Sequence, residues 1–125
     1  MRHLLLLGAL SCAVALAAAG GAQAATIRCS FNNGPTAFPA IGDLSAKNLS
    51  CATARSVMRS VQRGWARGGA AQPADRLPRT AYGRAASGRV MEFRCRYVAK
   101  QGYDNPYFRA TCQSASHIVR ASLGS

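Results

Sequence analysis

A chain of 125 residues with 16 lysines and arginines against four aspartates and glutamates carries a net charge of +12. That length suits a single domain with one modest core. The few carboxylates, Asp43, Asp75, Glu92 and Asp104, are too thin an inventory for a paired-carboxylate hydrolase.

Residues 1–24 read as a signal peptide. Arg2 and His3 form a short basic start, residues 4–19 an apolar run broken only by Gly8 and Ser11, and Ala22-Gln23-Ala24 a small-x-small cleavage site. The run is short for a membrane span of about 20 apolar residues, and nothing downstream approaches that length, so no span is expected after cleavage. Lipidation at Cys12 is disfavoured because Ala9 stands where leucine is usual. Residues 25–125 are then one exported domain, secreted or periplasmic.

In the mature part, "TIRC" at 26–29 suits a short strand, and "FNNGP" at 31–35 a turn in which Asn33-Gly34 tolerates positive φ. "AIGDL" at 40–44 suits a second short strand. A helix follows, with Ser50 or Asn48 as its N-cap. Ala54, Val57, Met58, Val61 and Trp65 recur at i, i+3, i+4, i+7 and i+11 and form its buried stripe, and Gly64 marks its end. Arg55, Ser56, Arg59, Ser60, Gln62 and Arg63 lie on the other side, a solvated or anion-binding face. Because Arg55, Arg59 and Arg63 repel one another at i,i+4, they are not there to stabilise the helix.

Residues 66–88, rich in Gly, Ala, Pro and Arg, read as a surface loop that Tyr82 pins to the core. "VMEFRCRYVAK" at 90–100 then alternates with period two. Met91, Phe93, Cys95, Tyr97 and Ala99 take one face and Glu92, Arg94, Arg96 and Lys100 the other. "QGYDNP" turns the chain, "YFRATCQ" runs back, and "HIVRAS" adds a third strand. The expected architecture is α+β: one main amphipathic helix on a small antiparallel β-meander, stapled by two disulfides.

The cysteines outside the leader, Cys29, Cys51, Cys95 and Cys112, are an even set in an exported domain. With no C-x-x-C and only His117 beside them, neither a metal site nor a redox pair is expected, and no cofactor motif is present. If Lys100 opposes Tyr107 across the turn, Cys95 opposes Cys112 on one face. Cys29 then falls to Cys51. A two-residue shift of register would instead tie Cys51 to a strand cysteine.

"NLSCATARSVMRS", "FRCR" and "RATCQ" together resemble a loosely defined, uncharacterised set of small exported bacterial proteins with a four-cysteine, SCxxAxxV helix-start pattern. The resemblance spans most of residues 26–122 and implies the fold and the export. It carries no activity across, and the insertion "ARGGAAQPADRLPRT" departs from the set's compact pattern.

Nearly all the cations are arginines, whose planar guanidinium forks onto oxyanions at two points. They favour a non-catalytic binding module for anionic partners: an envelope polymer, nucleic acid read non-specifically, or an acidic protein. Arg55, Arg59, Arg63, Arg94, Arg96 and Arg109 are its candidate residues. Solubility and arginine-rich codon usage would account for the same charge, which says nothing about fold. A second reading is a small secreted ribonuclease with Glu92 as base, His117 as acid and Arg94 and Arg109 on the phosphorane. A third is a secreted inhibitor or interaction domain that presents the 66–88 loop. The oligomeric state is not encoded in any feature of the chain.

Overall fold

The computed structural model describes residues 25–35, 37–68, 77–102 and 105–124, with side chains 66–68 excepted. The signal-peptide expectation at 1–24, and Asp75, Tyr103 and Asp104, lie outside the described residues. The elements are β1 (Thr26–Arg28), β2 (Ala40–Lys47), α1 (Cys51–Gly68), β3 (Thr80–Arg84), β4 (Val90–Lys100), β5 (Tyr107–Ser114) and β6 (His117–Gly124). The strands form one sheet of order β1-β2-β6-β5-β4-β3, antiparallel at every pairing. The meander β3 to β6 follows the chain, and β6 then closes the sheet by pairing back onto β2.

Local sequence explains most of this. The side-chain oxygen of Ser50 accepts the Thr53 N–H at 3.2 Å and caps the first turn of α1. Asn48, the other cap candidate, instead turns the chain at φ 60° and donates to the Ser116 carbonyl. The stripe Ala54, Val57, Met58, Val61 and Trp65 is buried against one face of the sheet, where Ile41, Leu44, Ala46, Phe93, Ala110, Val119, Ala121 and Leu123 meet it. Strands β2 to β6 contribute alternate residues to this core, as the period of two requires, whereas β1 is exposed along its length. The loop before β2 is fixed by Asn33, whose amide accepts the Ile41 N–H at 2.7 Å and donates to the Ile41 carbonyl at 2.8 Å.

Both expected disulfides are present. Lys100 opposes Tyr107, which places Cys95 directly opposite Cys112 with Cα atoms 4.0 Å apart. Cys29–Cys51 ties the end of β1 to the first residue of α1.

Three local expectations are corrected. Residues 80–84, assigned to the surface loop, form the edge strand β3. Its inward residues are Ala81 and Gly83, too small to announce a strand, and they are small because α1 passes directly over them. A Cβ on Gly83 would stand 2.6 Å from Val57 Cγ2. Tyr82 therefore points outward and is exposed, and Leu77 is what buries this segment. The helix does not stop at Gly64. It continues to Gly68, and Gly64 makes room for Pro78, whose ring would lie 2.7 Å from an added Cβ.

Ser56 and Ser60 are the third correction, since they serve the sheet and not an open polar face. Ser60 Oγ accepts the Tyr82 N–H at 3.0 Å, and Ser56 Oγ accepts the Arg84 N–H at 2.7 Å. Thr53 Oγ1 donates to the Arg84 carbonyl at 3.2 Å. The helix thus satisfies the free edge of β3 with hydroxyls, where an unpaired strand edge would otherwise invite another chain.

Tyr97 on β4 packs against the core and donates to the carbonyl of Pro78, just before the neighbouring strand β3, at 2.6 Å. Burial pushes its phenol well above the ordinary value near 10. The raised group stabilises the fold only while protonated. Its contribution is complete below pH 10 and is lost as pH rises beyond, at about 1.4 kcal/mol per pH unit. Denaturant titrations across this range should show a steeper alkaline loss of stability in the wild type than in Tyr97→Phe. Parallel curves would show that Tyr97 ionises freely.

Candidate functional site

The face of the sheet turned away from α1 carries most of the strand cations. The pairings align its residues in rows across the strands. One row runs Arg96 on β4, Thr111 on β5, Arg120 on β6, Ser45 on β2 and Arg28 on β1, each the backbone partner of the next. Neighbouring strands lie about 4.8 Å apart, so arginines on alternate strands are spaced by roughly 10 Å. On one side lies Arg94, Gln113, Ile118, Lys47 and Thr26, and on the other Val98, Arg109, Ser122 and Gly42. Arg28, Arg94, Arg96 and Arg120 are exposed.

Among the described residues, two hollows lie on this face. The larger, of about 830 Å³, is lined by Thr26, Arg28, Asp43, Ser45 and Arg109 among others. The smaller, of about 190 Å³, lies between Arg94, Arg96, Thr111 and Gln113. Asp43 enters at the irregularity between Gly42 and Ser45, where β2 carries one extra residue and Asp43 takes a φ of 47°. Its carboxylate lies 4.0 Å from Arg109 Nη1, and Arg109 also donates to Ser122 Oγ at 2.9 Å. Among the described residues this is the one ion pair. Arg28, Arg96 and Arg120 therefore face solvent with no carboxylate of the described residues paired to them.

The expected cation set divides in two. Arg94, Arg96 and Arg109 share the outer sheet face. Arg55, Arg59 and Arg63 sit on α1, on the other side of the molecule, and the first two have local work. Arg55 donates to the Ser30 carbonyl at 3.2 Å, and the Arg59 guanidinium lies 5.1 Å from the centre of the Phe31 ring. Both hold the segment after β1 to the helix. Arg28, Arg120 and Lys47 join the sheet face although sequence reasoning had left them out. The alternation of "HIVRAS" already put Arg120 opposite in parity to Val119 and Ala121, and that signal was available.

The four residues of the ribonuclease reading are not brought together. Glu92, Arg94 and Arg109 do share the outer face, but Arg109 opposes Val98, four residues from Arg94, a separation of roughly 13 Å along the strands. His117 starts β6 with the parity of the core residues, and its Nδ1 is hydrogen-bonded to the Asn48 carbonyl. For the inhibitor reading, residues 69–76 of the 66–88 segment lie outside the described residues, while its later part is held down by Leu77, Pro78 and β3. Among the described residues no three His, Cys, Asp or Glu side chains group as a metal site would need, and no helix is long and apolar enough to cross a membrane.

Comparison with protein families, with curated proteins and with solved structures finds no match for this chain.

Proposed function

We propose that the protein is a non-catalytic, extracytoplasmic binding module whose outer sheet face takes anionic partners. The single observation behind this reading is the row of Arg28, Arg120 and Arg96, exposed, evenly spaced and without an ion pair among the described residues. Arginines at this density repel one another, and the fold gains nothing from their alignment. Guanidinium groups so placed offer forked donors to phosphate, sulfate or carboxylate. Two disulfides in so small a domain agree with an oxidising compartment, secreted or periplasmic.

The test is retention on heparin and on duplex DNA as a function of salt, using two triple variants of equal net charge. Arg96→Gln/Arg109→Gln/Arg120→Gln should elute at distinctly lower salt than wild type. Arg55→Gln/Arg59→Gln/Arg63→Gln should elute close to wild type. Equal shifts would mean that only net charge matters, and no retention at low salt would remove the function altogether.

A further inference from the structure

The rows of the outer face differ in a way that narrows the ligand. Along any one strand, cations are interrupted. On β4, Arg94 and Arg96 lie between Glu92 and Val98. On β5, Arg109 is followed by Thr111 and Gln113, and on β2, Lys47 shares the face with Asp43. Of the two flanking rows, one carries Ile118 at its centre and the other ends on Val98 with Asp43 beside it. The row Arg96, Thr111, Arg120, Ser45, Arg28 contains neither an apolar nor an acidic member. It is a continuous path of donors across five strands, four inter-strand spacings or about 19 Å in length. Among the described residues the tyrosines near this face stand apart from the row: exposed Tyr82 on β3 opposes Glu92, and half-buried Tyr107 opposes Lys100 at the start of β5. No aromatic platform for a base lies in the row itself.

From this we infer that the row binds a linear phosphate chain laid perpendicular to the strands, held through its oxyanions alone. The inference rests on the binding-module reading above and specifies its ligand. Each arginine forks onto one phosphate, and the hydroxyls of Thr111 and Ser45 donate to the groups between. A phosphodiester backbone and an inorganic polyphosphate share this chemistry, and recognition is blind to base and sequence.

The experiment measures binding of inorganic polyphosphate of graded length and of two single-stranded oligonucleotides of equal length, one abasic and one bearing bases. Affinity for polyphosphate should climb steeply until the chain spans about 19 Å and flatten beyond it. The abasic and base-bearing strands should bind alike, which separates a nucleic-acid source from the shared phosphate chemistry. Arg28→Gln/Arg96→Gln/Arg120→Gln should lose on the order of tenfold or more, with a salt slope shallower by roughly 0.7–0.9 per arginine removed. The helix triple variant serves as the matched control. Clearly tighter binding of the base-bearing strand, or an equal loss in both triple variants, overturns the inference. If heparin is retained but neither phosphate chain binds, the phosphate row falls and the broader anion-binding reading stands. If nothing binds, both fall.

Discussion

Replacing Gly83 with alanine is expected to destabilise the protein by about 3 kcal/mol, the upper end of what overpacking a core costs. The added Cβ would stand 2.6 Å from Val57 Cγ2, 3.1 Å from Phe93 Cε2 and 3.3 Å from Thr53 Cγ2. Val57 and Phe93 are fully buried and β-branching leaves Val57 little rotamer freedom, so neither can swing away. The helix must lift from β3, and lifting it stretches the bonds from Thr53, Ser56 and Ser60 that satisfy the strand edge. Thermal denaturation should show a fall of about 4–8 °C per kcal/mol in a domain of this size. Amide exchange should accelerate first at Tyr82 and Arg84. Gly124→Ala is the control, since nothing lies within 4 Å of a Cβ there. A Gly83→Ala protein as stable as the control would show that α1 does not press on β3.

The second large effect concerns the disulfides. Chain entropy alone ranks them almost equally, because they link residues 17 and 22 apart in sequence and each such loop is worth about 3 kcal/mol. Burial separates them. Cys112 is fully buried and Cys95 nearly so, whereas Cys29 and Cys51 are only partly covered. Cys95→Ala/Cys112→Ala should therefore lose the entropic share and create a cavity in the core as well. Cys29→Ala/Cys51→Ala should lose mainly the entropic share. Urea denaturation of the two double variants is expected to place the Cys95/Cys112 variant lower by about 1–2 kcal/mol. The reverse order would mean that constraint of the unfolded chain outweighs packing here.

What was legible in the sequence was whatever repeats within a few residues. The stripe Ala54, Val57, Met58, Val61 and Trp65 declared a helix, the alternation over 90–100 declared a strand, and one assumed turn pair gave the Cys95–Cys112 register. β3 was hidden because its inward positions are Ala81 and Gly83, and their smallness answers to a helix elsewhere in the chain. Ser56 and Ser60 read as part of an open polar face, because their task depends on a strand edge that local periodicity does not encode. The candidate site was half legible for the same reason. Arg94, Arg96 and Arg109 follow from one hairpin. Arg28 and Arg120 enter the row only through the pairing of β2 with β1 and with β6, which joins residues far apart in sequence.

That last pairing has a kinetic consequence. The β2–β6 contact brings residues 40–47 to residues 118–124, across the helix and the whole meander, so it closes the largest loop of any strand pairing among the described residues and is the most costly of them in entropy to initiate. The hairpins β4–β5 and β5–β6 form from neighbours and have no such barrier. A chain folded only through its meander already displays Arg96, Thr111 and Arg120 in line but lacks Ser45 and Arg28. The full row exists only in the completed fold, and a polymer gripping all of it would also act as a clamp across the slowest seam to form.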